Sequence, residues 1–321
     1  MIEEYAGELV GISYARSYKE LDMWKRFLDI LEVNYIISDK NLDEAANLAS
    51  ERFRYAGDYC FTRRATLGEY IFLVEEKNCQ ILLVASRVVE GNTKCNTTRY
   101  VPLQIAGYYS EKEIKVIDAP ISTDEKVSRM ELYKLGKQFS DDEIKIQRAI
   151  DSWFTPVTSV KKRKGIKKDS VNLFFIGGAP FHFSFSDPNS YMTRYLKDRL
   201  GVNVVGPKSA SEIKNFKVFR EAYRTVYPSN LVLPDRQAYW VRENILASYL
   251  NVRDEIDGVV FVRDKYCTCK IEEINLLHQI IEKDNCPNIV VDYREEARTT
   301  VETTLEAFIE MIKMKRRGGV V

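Results

Sequence analysis

The chain has 321 residues, of which 30% are charged and 45% hydrophobic, with a formal net charge of +1. That length allows two separate hydrophobic cores, and the balanced charge exerts no global pull on nucleic acid or an anionic membrane. No apolar run approaches the roughly 20 residues that cross a bilayer. The opening MIEEYAGELVG is acidic where a secretory signal would be basic and then apolar. These features predict a cytoplasmic protein that binds neither membrane nor nucleic acid.

The first half alternates strand and helix. Leu9–Tyr14 reads as a strand, and Tyr18–Leu31 as a helix with Leu21, Trp24, Phe27, Leu28 and Leu31 at helical spacing. Tyr35–Ser38 is a short strand, and Leu42–Phe53 a helix that Asn41 could cap. A polar loop (AGDYCFTRR) carries Cys60 ahead of a helix expected near Leu67–Glu76, and QILLVA is a buried strand. Arg87 to Tyr108 shows no clear period and reads as a structured loop holding Cys95. Ile114–Ile117 is a further short strand. Asp124 to Phe154 is helical and charged, with Met130, Leu132, Leu135 and Phe139 as its apolar stripe.

The basic run KKRKGIKK (Lys161–Lys168) marks a boundary, after which the alternation resumes. VNLFFI is a strand, Ser190–Leu200 a helix ending at Gly201, and Val202–Val205 a strand. Helices are expected over Ala210–Arg224, Arg236–Leu250, Ile271–Lys283 and Val301–Lys315, with strands at Gly258–Val262 and Asn288–Asp292. Repeated βαβ units with apolar, β-branched strands imply parallel sheets covered by helices on both faces. The expected architecture is α/β: two doubly wound, mainly parallel lobes, 1–122 and 169–321, joined by a helical connector and basic linker over 123–168. The basic runs at Lys161–Lys168 and Lys313–Arg317 come with no aromatic stacking platform, and read as solvated linker and helix end.

The six cysteines, with no export signal, are expected to be thiols rather than disulfides. Only two histidines occur, His182 and His278, which argues against a histidine-rich metal site and against a Ser-His-Asp hydrolase. In open parallel sheets ligands bind beyond the carboxyl ends of the strands. Cys267 follows GVVFV there, and Cys95 follows QILLVA. Cys60 lies in a polar loop, whereas Cys79, beside a core strand, and Cys286, in a helix-to-strand turn, read as structural. There is no CxxC pair, and Cys267-Thr268-Cys269 is a CxC, so spacing alone leaves two readings open: half-buried core thiols, or a site assembled by tertiary structure. Thiolate ligation favours an iron–sulfur cluster or zinc, and zinc would need four cysteines here. Gly177-Gly178-Ala179-Pro180 directly follows a strand, and is either a tight turn or, with Ser190 capping the next helix, an anion site. His182 beside it is either a polar cleft residue or packed.

Taken in order, these segments resemble the 2-hydroxyacyl-CoA dehydratase family, and within it the branch of activase-associated proteins related to the double-cubane cluster proteins. GISYAR followed by Trp24-Lys25 resembles the opening strand and turn of that branch, and Ala56–Phe61 its first cysteine loop. Cys95 after QILLVAS matches the second cysteine position; DGVVFVRDKYC resembles the strand leading to the third. GGAPFHFSFSDP resembles the stretch that opens the last lobe, and Val291–Met311, with TLEAF, the closing segment. The sequence departs from the family around the cysteines: Cys60 precedes Phe-Thr instead of Leu-Pro, Cys269 is extra, and the usual Gly-Pro-Asp after the third cysteine is absent.

The resemblance implies that Cys60, Cys95 and Cys267, with Cys269 as rival to Cys267, hold a 4Fe–4S or double-cubane iron–sulfur cluster in a cleft between the lobes. It further implies an ATP-dependent activase partner that carries its own cluster and delivers a low-potential electron. The substrate would be a small molecule such as an acyl-CoA, in a cleft including Ser13, Gly178 and His182, and the assembly a homodimer or a heterodimer with a related subunit. The expected function is that of a reductase or dehydratase component. The competing expectation is a two-lobed small-ligand-binding or regulatory protein that keeps the fold without redox chemistry, which the altered cysteine flanks motivate.

Overall fold

The computed structural model describes residues 8–17, 21–88, 100–122, 125–155, 166–167, 169–177, 195–206, 245–264, 274–275, 277–279, 281–293 and 298–318. The chain forms two compact units, Met1–Lys161 and Lys162–Val321. Each is built on a four-stranded parallel sheet, so the fold is two-lobed α/β.

In the first unit the strands are β1 (Val10–Ile12), β2 (Tyr35–Ile37), β3 (Ile81–Val88) and β4 (Lys115–Ser122), in spatial order β2-β1-β3-β4. Side chains on β3 alternate between two cores, as a strand's period of two requires. Ile81 and Leu83 join Trp24, Phe27 and Trp153 on one face, while Leu82 and Val84 join Leu67, Tyr70, Leu73 and Ile105 on the other. The helices behind these faces are α1 (Tyr14–Ser17), α2 (Leu21–Ile30), α3 (Leu42–Arg52), α4 (Phe61–Glu75), α5 (Val101–Tyr108), α6 (Glu125–Phe139) and α7 (Glu143–Phe154). Asn41 caps α3 as expected, its Oδ1 accepting from the Asp43 N–H at 2.9 Å and the Glu44 N–H at 3.4 Å.

Four expectations shift. The stretch read as a loop from Arg87 contains the end of β3 and then helix α5, whose buried face is Val101, Pro102 and Ile105; Pro102 in the first turn starts the helix without needing its missing N–H. Helix α4 begins at Phe61, six residues before the expected Leu67, because the residues from Arg64 to Val74 are all buried and its period is masked by apolar residues all round. Met130 is half exposed; the buried stripe of α6 is Ser128, Leu132, Leu135 and Gly136. The small Gly136 lets α7 approach, with Ile146 against it. Helices α6 and α7, expected as a connector, pack through Leu132, Leu135, Ile146, Ile150 and Trp153 into the first unit's core.

The second unit repeats the plan with β5 (Asn172–Gly177), β6 (Asn203–Val205), β7 (Gly258–Asp264) and β8 (Asn288–Tyr293), in order β6-β5-β7-β8. Phe174, Ile176, Val259 and Phe261 pack with Tyr249, Leu277 and Ile281 on one face. The closing helix, Arg298–Arg316, lies close over the start of β7, where a side chain at Gly258 would meet Phe308 and Ile312. Of the helices expected between 190 and 283, a π-helical turn at Tyr195–Arg199 and helical residues at 245–250, 274–275, 277–279 and 281–282 are described, while 210–224 and 236–244 lie outside the described residues. No helix among the described residues is long and apolar enough to cross a membrane.

Candidate functional site

Both sheets share one feature that fixes where a ligand can enter. In each, the chain steps from the first strand outward to the second on one side, then returns to place the third strand on the other side. The crevice opens at that reversal, beyond the carboxyl ends of the first and third strands. In the first unit these are the ends of β1 and β3; in the second, of β5 and β7.

The residues singled out from sequence map onto these loops. Ser13 directly follows β1. Cys95 lies in 89–99, after β3; Gly178 and His182 lie in 178–194, after β5; Cys267 and Cys269 lie in 265–273, after β7. These five residues are outside the described residues. Cys60 is described: it is 6% exposed and stands at the N-cap of α4, its carbonyl accepting from the Arg64 N–H at 3.1 Å. The residue before it, Tyr59, accepts at its hydroxyl from the Gln104 Nε2 at 2.8 Å, and Gln104 Oε1 accepts from the Arg63 Nε at 3.0 Å. The Arg63 guanidinium also lies 3.5 Å from the centre of the Tyr59 ring, a cation–π contact. Gln104 belongs to the first turn of α5, the helix that follows the Cys95 segment. The Cys60 loop is thus fastened to the chain immediately after that segment.

Ser13 has a different role from the open cleft residue expected. It is fully buried, and its hydroxyl donates to Glu69 Oε2 at 2.5 Å. Glu69, on α4, is also fully buried; the same Oε2 accepts the Ala15 N–H at 2.9 Å, while Oε1 has no hydrogen-bond partner. Burial pushes its carboxyl up to about 8, against the opposing pull of Ser13, the Ala15 and Tyr14 N–H groups and Ser38, which stands at the end of β2. Next to it, Tyr70 donates to the Leu83 carbonyl at 2.8 Å and pins α4 to β3. Glu69 was not picked out from the sequence. Its signal was there: one charge in the interior of the apolar run ATLGEYIFLV, where a solvated face would repeat and a lone acid must be buried.

Cys79 is buried against Gly11, and burial pushes its thiol up to about 11; Cys286 is half-buried in the turn before β8. Among the described residues no three His, Cys, Asp or Glu side chains gather as a metal site. A shallow cavity of about 330 Å³ is lined by Asp169, Ser170, Gly201, Lys313, Arg316 and Arg317, but it sits at the amino end of the second sheet, opposite the crevice.

No family model matches the sequence, and no curated protein matches it. Solved structures similar to it include a proposed Asp/Glu racemase from Yersinia pestis, at 12% identity and a TM-score of 0.23, covering 95% of this chain and 99% of that one. An aspartate racemase homologue from Pyrococcus horikoshii is similar at 12% identity and a TM-score of 0.24, with coverage of 95% and 99%. Similarity at these scores transfers neither fold nor chemistry to this chain.

Proposed function

We propose that this protein is a cytoplasmic, low-potential iron–sulfur redox protein of the 2-hydroxyacyl-CoA dehydratase type, with Cys60, Cys95 and Cys267 (or Cys269 in its place) as cluster ligands. The observation that carries the reading is topological. Two sheets of the same strand order each feed one cysteine-bearing segment from the end of the third strand, and the Cys60 loop is tied to the helix that follows the first of these segments in the chain. The donor chemistry fits: three thiols in a chain with only two histidines suit a thiolate-bound cluster better than an imidazole-bound ion.

A cluster held there would supply one-electron chemistry at low potential, received from an ATP-dependent activase and passed to a small-molecule substrate such as an acyl-CoA. The chain's own residues have narrower tasks. Cys60 sits where the positive end of the α4 dipole favours a negatively charged sulfur. Its 6% exposure keeps water from that sulfur, and burial together with hydrogen bonding to sulfur is what tunes a cluster's potential. Tyr59, Arg63 and Gln104 hold the loop in place through two hydrogen bonds and a ring contact.

Anaerobic expression with cluster-competent assembly, followed by iron and sulfide assay and electron paramagnetic resonance of the reduced protein, tests the proposal. Wild-type protein should be brown, Cys60→Ser and Cys95→Ser should each lose most of the iron, and whichever of Cys267→Ser and Cys269→Ser loses it marks the third ligand. A colourless, iron-free wild-type protein overturns the reading; stabilisation of that protein by a metabolite in a thermal-shift screen would then favour the two-lobed binding protein.

A further inference from the structure

A buried acid ordinarily meets a cation or a full set of donors, because an isolated charge away from water is costly. Glu69 has neither. The end of β1 and the start of α1 supply the Ser13 hydroxyl and the N–H groups of Tyr14 and Ala15. The end of β2 supplies Ser38, while Asp39 and Lys40 beyond it pair with Lys77 and Glu76. The α3 face at this crossing is alanine: Ala45, Ala46 and Ala49 are fully buried, and Gly68 of α4 lies directly on the Ala45 carbonyl. On α4 itself, Arg64 reaches to the Ser50 hydroxyl and Arg63 to Gln104. From β3, Leu83 is occupied by Tyr70. No charged neighbour contributes to the Glu69 shift; loss of water is its first cause.

The geometry of the two carboxyl oxygens differs, and the difference says where a proton belongs. Oε2 accepts two hydrogen bonds, as a carbonyl oxygen does; Oε1 accepts none. A neutral carboxyl with its proton on Oε1 puts no charge on the one oxygen that no donor reaches. We infer that Glu69 is a proton-held latch on the β1–α1 turn, clamping this edge of the first unit's crevice when neutral and releasing it when ionised. Ionisation sends the proton to solvent and leaves a full charge among alanines with no cation. Hydrating that charge means admitting water between α4 and the turn, which breaks the Ala15 N–H bond and loosens Tyr14. Engagement of a ligand at the β1–β3 crevice is thereby linked to proton occupancy.

Hydrogen exchange of the full chain, corrected for intrinsic rates, tests the latch at the Tyr14 and Ala15 amides. Protection should be constant below about pH 4.3, where even the released carboxyl is protonated, fall by about tenfold per pH unit from there to about pH 8, and level off above it, as a one-proton linkage requires. Glu69→Gln keeps an accepting oxygen for Ser13 and Ala15 but has no proton to lose, so its protection should be flat with pH. Protection in the wild type that stays flat through this range, or a Glu69→Gln variant that falls in parallel with it, overturns the inference. Infrared titration of the wild-type protein decides even where the variant fails to fold. A buried protonated-carboxyl band should persist at neutral pH and fade near pH 8, where burial places the group. Its absence at neutral pH overturns the latch.

Discussion

The polar groups buried at the amino end of the second sheet close on one another, whereas those at the carboxyl end of the first leave a carboxyl oxygen over. In the second unit Asn172, 2% exposed, uses its side chain four times. Its Oδ1 accepts from Asn203 Nδ2 at 2.7 Å and the Lys167 N–H at 3.0 Å, and its Nδ2 donates to the carbonyls of Lys167 and Ser170 at 2.9 and 3.1 Å. Its backbone N–H donates to Asp257 Oδ2 at 2.7 Å, and Arg316 grips both Asp257 oxygens at 2.6 Å. Such a network can rigidify because no member is unmet. It stands at the strand ends where ligands do not bind, while Glu69, with Oε1 unmet, stands by the crevice. Polar burial serves stability at one edge and remains titratable at the other.

The contrast can be broken from the first unit's side with the largest effect. A methyl at Gly68, one residue from Glu69, would collide with the Ala45 backbone carbonyl, and backbone cannot swing aside as a side chain can. Gly68→Ala should cost about 3 kcal/mol or more in urea unfolding, at the upper end of overpacking, and open the α3–α4 crossing that keeps water from Glu69. From the other side, Asn172→Ala removes a hydrogen bond from Asn203 Nδ2, from the Lys167 N–H and carbonyl, and from the Ser170 carbonyl. It should cost about 2 kcal/mol, the range for orphaned polar groups, with a loss that is the same at all pH values where Glu69 titrates. Glu69 itself gives the opposite signature. Its native carboxyl holds a proton up to about pH 8, while in the unfolded chain it releases it near ~4.3. Between those values the unfolded state binds fewer protons, so wild-type stability should fall as pH rises and then level off, a slope that Glu69→Gln should flatten.

Sequence patterning carried the strands well, because fully buried parallel strands such as QILLVA and VNLFFI are short apolar runs that little else resembles. Strand order was harder to read, since any of these strands could neighbour any other until the connecting helices choose a side. The α7 stripe Ile146, Ala149, Ile150 and Trp153 was periodic in the sequence, but periodicity names a buried face and not its partner, which proved to be Trp24 and Phe27 of α2. The site was legible as residue types after strands. What the sequence hid was the pairing of Ser13 with Glu69 across 56 residues, which turns a serine at the crevice into a buried donor. The Tyr59–Gln104 bond, spanning 45 residues, was hidden for the same reason.

The smallest effect belongs to the pair that looks strongest on geometry. Arg316 meets Asp257 through two short parallel bonds, yet its side chain is 40% exposed against 16% for the aspartate. Water reaches the guanidinium and screens the pair, and the long side chain gives up rotamer freedom to hold one position. Asp257 also keeps the Asn172 N–H when the arginine is gone. Arg316→Met, which preserves most of the apolar stem, should therefore cost no more than about 1 kcal/mol at low salt. Near ~1 M salt, where the screening length falls to a few ångströms, most of that difference should vanish. Urea unfolding of wild type and variant at both salt concentrations measures it. A loss as large as that of Asn172→Ala would mean that the arginine is an inseparable member of the amino-end network, and that Asn172 is not its hub.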